Sequence, residues 1–160
     1  MSTETLVKRS VAHGMFTVQR TYPGVTPKRV FDAFATEAGK AAWFAGPDER
    51  WVIAGRAFDF RVGGREYLKG QWTTGMVTEF DATYFDIVDG ERIIYAYEMR
   101  LDGRKISTSL ATLEFRAAAG GGVAFTMTEQ GAFLDGYDDS GSRERGSREL
   151  VEKLSAYPEG

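Results

Sequence analysis

Arg92-Ile93-Ile94-Tyr95-Ala96-Tyr97-Glu98-Met99-Arg100-Leu101-Asp102-Gly103-Arg104-Lys105 sets a strand pattern directly against a turn signal. Ile93, Tyr95, Tyr97 and Met99 share one parity, the spacing of one face of a strand. Asp102-Gly103 is the sharpest hairpin signal in the chain, because both central positions of a type I′ turn need positive φ. The next strand is expected over residues 105–116. Leu113 and Phe115 should face inward there, which brings Ser107, Ser109 and Ala111 with them. Residues 118–122 form a looser turn. Residues 123–130 complete another hairpin, with Phe125, Met127 and Glu129 on its inner parity.

Upstream, the period-two pattern begins at Trp51. Phe58, Phe60 and Val62 share a face, and Gly63-Gly64 signals a turn. Residues 70–80 form a further strand, with Trp72 and Met76 on one parity, and Asp89-Gly90 ends the region. Met15 to Tyr22 alternates as a half-buried strand and stops at Pro23-Gly24. Thr26-Pro27 reads as an N-cap with proline at the first helical position. Val30, Phe31, Ala33 and Phe34 give that helix its apolar face. A second short helix starts at Glu37 and ends with Trp43-Phe44.

Downstream, residues 131–142 make an irregular acidic loop. A long helix follows from Ser142 to about Tyr157. Its apolar stripe is Leu150, Val151, Leu154 and Tyr157, and Pro158 stops it. No βαβ alternation occurs, so a doubly wound sheet is not expected. An antiparallel sheet buries one face, and only the last helix is long enough to cover it. The expected organisation is a flexible leader over residues 1–14 and a single α+β domain over residues 15–160.

Composition agrees with that architecture. A chain of 160 residues with 42% hydrophobic and 27% charged residues is a globular protein of about one domain. Aromatic residues reach 13% and glycine 19 residues, which suits a curved, strand-rich fold with an interior to line. The absence of cysteine excludes disulfides, thiolate nucleophiles and iron–sulfur clusters. A single histidine, His13, excludes a multi-histidine metal site, and any Ser-His-Asp triad would have to use it. The net charge of −3 and the scattered Arg and Lys residues give no reason to expect nucleic acid. No apolar run approaches the roughly 20 residues of a membrane span, and residues 1–14 lack the apolar core of a signal peptide. A cytoplasmic location without a cofactor is the expectation.

These segments resemble the START-like (SRPBCC, helix-grip) superfamily. Within it they are similar to bacterial proteins grouped with the Hsp90 ATPase activator homologues. The likeness rests on Phe16-Thr17-Val18-Gln19-Arg20-Thr21-Tyr22, residues 27–35, Trp43-Phe44 and Asp59-Phe60-Arg61-Val62-Gly63-Gly64-Arg65-Glu66. It continues through residues 86–97 and 106–114 to Thr128-Glu129-Gln130-Gly131-Ala132-Phe133-Leu134-Asp135-Gly136. The resemblance implies a curved antiparallel sheet gripping a long C-terminal helix, with a cavity between them for a small hydrophobic or aromatic ligand. Many relatives carry a bulky tryptophan soon after a glycine at the start of the last helix. Here Ser147 follows Gly146, which implies a roomier cavity mouth.

Parity nominates the cavity residues. Trp43, Phe44, Phe58, Phe60, Trp72 and Phe133 are candidate walls, with core packing as the alternative. Tyr95, Tyr97 and Met99 add two hydroxyls beside apolar surface, to orient a polar ligand end or to satisfy backbone groups. Ser107 and Ser109 are small inward residues that either leave volume unfilled or pack close to a large neighbour, and Phe125, Met127, Ser147 and Val151 complete the set. Glu129 points inward, where an apolar pocket raises a carboxyl pKa. Its alternative is a strand-end position in water or paired with Arg145 or Arg148. Asp135, Asp138 and Asp139 lack the spacing of a calcium loop, and they suit the N-terminus of the following helix. The leading functional expectation is a small-molecule binding protein. The alternatives are a cavity enzyme of cyclase or hydrolase type using Glu129 as acid or base, and a chaperone-associated stress-response protein. A homodimer is compatible with the sheet edges.

Overall fold

The computed structural model describes residues 8–46 and 49–155. The element order is β1 (Val11–Tyr22), α1 (Pro27–Ala35), α2 (Glu37–Trp43), β2 (Trp51–Phe58), β3 (Arg65–Trp72), β4 (Val77–Val88), β5 (Arg92–Leu101), β6 (Arg104–Ala117), β7 (Val123–Leu134) and α3 (Ser140–Leu154). The seven strands form one sheet in the order β1-β7-β6-β5-β4-β3-β2. Every adjacent pair is antiparallel. The two short helices carry the chain from one edge of the sheet to the other, and α3 returns across its inner face. This is the helix-grip α+β arrangement.

Local chemistry places the helices. The Thr26 hydroxyl accepts from Arg29 N at 3.2 Å, and Pro27 begins α1. Thr36 caps α2, accepting from Gly39 N at 3.0 Å. Asp139 caps α3, accepting from Ser142 N at 2.8 Å. Asp102 and Gly103 take φ values of 50° and 78°, the two positive angles that a type I′ turn requires. Register shifts in β2, β4 and β5 interrupt the ladders near Ile53, Tyr84 and Met99. Such bulges bend a sheet around what it covers.

The main core fills the β1, β6 and β7 side of the inner face. Phe31, Phe34, Phe115 and Phe125 meet Val151 and Leu154 of α3 there. Phe34 stacks on Phe125 with ring centroids 5.5 Å apart. The Tyr22 hydroxyl donates to the Val151 carbonyl at 3.1 Å and ties β1 to α3. A second cluster of Trp51, Leu68, Phe80, Ala82, Tyr97 and Ala111 lies toward the other edge. Among the described residues no helix is long and apolar enough to cross a membrane.

The structure corrects several boundaries. The first strand starts at Val11 instead of Met15, and β7 runs on through Leu134 where an irregular loop was expected. These two corrections are one feature, because Val11 pairs with Leu134 and Gly14 with Gly131. Residues 11–13 are exposed, so no buried parity marks them; cross-strand pairing holds them. Residues 70–80 are two strands joined by a tight turn, with Trp72 N donating to the Met76 carbonyl at 2.8 Å. After Phe58 the chain bends instead of extending, and Val62 is exposed. The last helix begins at Ser140, two positions early, because Asp139 supplies its cap. Tyr157 and Pro158 lie outside the described residues.

Candidate functional site

The antiparallel sheet presents alternate side chains inward, and the second cluster packs less completely than the first. A cavity of about 350 Å³ lies there, between β2–β5, β7, the end of α2 and the first turns of α3. Native interiors hold few voids larger than a water molecule, and a space of this size falls at the small end of ligand pockets, roughly 300–1,000 Å³. Of the expected residues, Trp43, Phe44, Trp72, Tyr95, Tyr97, Met99, Met127, Glu129 and Ser147 line it.

The other expected residues sit elsewhere. Phe58 stacks on Phe60 with ring centroids 6.0 Å apart, and Phe60 packs against Phe31 and Tyr84. Phe125 and Val151 belong to the main core. Ser107 is fully buried and accepts from Arg143 Nη2 at 2.7 Å. Ser109 is buried with no partner for its hydroxyl among the described residues. Phe133 lies under the Arg143 guanidinium, 5.4 Å from ring centre to Cζ. Inward parity therefore finds the buried face of the sheet. It does not tell a packed position from a cavity-facing one.

Several lining residues were not anticipated. Trp51, Leu68 and Phe80 form the wall along β2–β4. The Trp51 indole lies where Gly70 has no side chain: a Cβ on Gly70 would come within 2.0 Å of the ring. Glycine is what allows the tryptophan to lie flat against the sheet. Gly146 borders the cavity from α3, and a Cβ there would meet nothing within 4 Å.

Two polar clusters border the apolar space. In the first, Lys40 Nζ lies 3.1 Å from Glu66 Oε2, with both residues buried. The Tyr84 hydroxyl donates to Glu66 Oε1. The Lys40 ammonium also faces the Phe44 ring at 4.1 Å, a cation–π geometry. Burial lowers the Lys40 pKa, opposed by the Glu66 charge. Lys40, three positions before the buried Trp43 on α2, was the available signal for this pair.

In the second cluster, the Tyr97 hydroxyl donates to Glu129 Oε1 and accepts from Arg143 Nη1 at 3.0 Å. Arg143 Nη2 also pairs with Asp138 Oδ2 at 2.8 Å. Glu129 is 3% exposed, and its Oε2 has no partner among the described residues. It meets neither Arg145, which is exposed, nor Arg148, which pairs with Glu144. Burial pushes the Glu129 pKa above the ordinary glutamate value, against the pull of the Tyr97 hydroxyl, Arg143 and the Ser147 hydroxyl. Burial likewise raises Tyr95 and Tyr97, reinforced by the Glu129 charge. The three aspartates diverge: Asp135 pairs with Arg9, Asp138 with Arg143 and Asp139 with the α3 backbone. Among the described residues no group of carboxylates or histidine is arranged to hold a metal.

The family model for the Activator of Hsp90 ATPase homolog 1-like protein matches residues 24–159. A putative uncharacterized protein from Rhizobium leguminosarum is 39% identical with a TM-score of 0.87, over 95% of this chain and 98% of that one. A protein from Rhizobium loti is 42% identical with a TM-score of 0.83, over 92% of this chain and 99% of that one. An AHSA1-like protein from Aeromonas hydrophila shares the fold at 16% identity and a TM-score of 0.65, over 91% of this chain and 92% of that one. No curated protein matches the chain.

Proposed function

We propose, for a chain that belongs to the Activator of Hsp90 ATPase homolog 1-like family, that it binds a small hydrophobic or aromatic molecule between its sheet and α3. The observation that carries this reading is the cavity of about 350 Å³ walled by Trp43, Phe44, Trp51, Trp72 and Phe80. Phe44 packs against Trp43 and Phe80, yet the five rings together still border unfilled space instead of closing it as core rings normally do. A flat apolar ligand would restore the contacts that the walls lack. A thermal-shift panel of lipids and aromatic compounds tests the reading. A bound ligand at a hundredfold excess over its Kd stabilises the fold by about 2.7 kcal/mol. A panel that leaves the transition unmoved speaks against it.

The Glu129–Tyr97–Arg143 chain favours a second reading, a cavity enzyme with Glu129 as general acid or base. A carboxyl held above its ordinary pKa by burial keeps its proton to higher pH than a solvent-exposed glutamate, which suits a proton-transfer role. For a substrate found by such a panel, Glu129→Gln would abolish turnover while leaving binding measurable. Undiminished turnover in that variant would rule the role out.

A further inference from the structure

We propose that the cavity selects a neutral aromatic molecule carrying a hydroxyl group, and that it rejects carboxylate-bearing ligands such as fatty acids. The inference rests on the cavity-binding reading and adds the polar chemistry of the ligand.

Both cations on the cavity wall are already satisfied. Arg143 gives its terminal nitrogens to the Tyr97 hydroxyl, the Ser107 hydroxyl and Asp138. Its guanidinium also lies over the Tyr97 and Phe133 rings. Lys40 is held by Glu66 and the Phe44 ring. A ligand carboxylate would therefore enter an apolar space without a free cation, which is the costly way to bury a charge.

What remains unpartnered among the described residues is different in kind. Glu129 Oε2 is buried and has no hydrogen-bond partner, although the Ser147 hydroxyl stands near enough to the carboxyl to lower its pKa. Arg143 occupies the Tyr97 hydroxyl from one side, so the phenolic proton points to Glu129 Oε1 and leaves Oε2 for the ligand. The Trp72 indole N–H is buried with no acceptor. The Tyr95 side chain lines the same cavity and makes ring contacts with Phe80, Tyr84 and Tyr97. Buried polar groups are nearly always paired in native proteins, so each exception calls for a reason. A ligand hydroxyl donates to Oε2, and ligand oxygen accepts from the indole. An aromatic body would lie against the wall formed by Trp51, Trp72 and the Phe44–Phe80 pair, whose rings meet edge-on with centroids 5.0 Å apart. An ammonium would pair with Glu129 but has no lone pair for Trp72, and it would bring a second charge into the apolar space.

Matched probes decide the point. 2-Naphthol, 2-methylnaphthalene and 2-naphthoate differ only in the group offered to Glu129. Titration of the full chain, followed by tryptophan quenching and calorimetry, should show 2-naphthol binding at least about tenfold tighter than either of the others. In Glu129→Leu, which keeps an apolar side chain of similar reach, that preference should vanish. If Glu129→Leu does not fold, the wild-type ranking alone decides. Equal binding of 2-methylnaphthalene and 2-naphthol, or tight binding of 2-naphthoate, overturns the proposal while leaving the cavity reading standing. Binding of none of the three also overturns this inference, and the cavity reading falls with it only where the panel of lipids and aromatic compounds leaves the thermal transition unmoved.

Discussion

The Tyr97 hydroxyl donates to one oxygen of Glu129, and the other oxygen of that buried carboxylate has no hydrogen-bond partner among the described residues. A half-satisfied carboxylate lowers stability, because its charge has left water without full compensation. Proteins keep such groups where function needs them.

The first prediction concerns pH. Burial raises the folded-state pKa of Glu129 above its ordinary value of 4.5. Between the unfolded and folded values the folded chain binds more protons, so stability falls as pH rises through that window. Glutamine does not titrate. The stability of Glu129→Gln relative to wild type should therefore increase as pH is raised above 4.5, read from urea unfolding at a series of pH values. A constant difference, or one that shrinks, would contradict the assignment.

The second concerns Lys40 and Glu66. Lys40→Met strands a buried carboxylate with only the Tyr84 hydroxyl for support. The expected loss is about 3–5 kcal/mol. Adding Glu66→Gln removes the stranded charge and should recover much of it. A single-variant loss below about 1 kcal/mol, the value of an exposed pair, would show that the two groups are not desolvated together.

The third contrasts two glycines beside the cavity. Gly146→Ala places a methyl group into open space on a helix, and it should stabilise the fold by up to about 1 kcal/mol. Gly70→Ala drives a methyl group into the Trp51 indole and should cost roughly 1–3 kcal/mol. The displaced indole should also change the tryptophan emission. Equal effects of the two substitutions would mean that the wall around Trp51 is not close-packed.

The order of elements was legible in the sequence because turn chemistry and parity agree. Asp102-Gly103 takes the predicted positive φ angles, and Thr26-Pro27 starts α1. What parity could not reach was the pairing of residues 11–14 with residues 131–134. The first stretch is exposed and the second opens on Gly131, so neither alternates. The site was half legible for a related reason. Tyr95, Tyr97, Met127 and Glu129 reach the cavity, whereas Phe125 shares their inward orientation and meets Phe34. Which inward residues face a void depends on what the helices place opposite them, and period-two spacing carries none of that. Trp51 and Arg143 were missed because one depends on a distant glycine and the other on partners from three separate elements.

The central claim is that the cavity holds a molecule. Native mass spectrometry of protein purified from its own host measures this directly, with Gly146→Phe as the plugged control. Wild-type protein should carry a small-molecule mass that the Gly146→Phe protein lacks. A folded wild-type protein that flies as bare polypeptide, or a mass retained equally by both proteins, would contradict it.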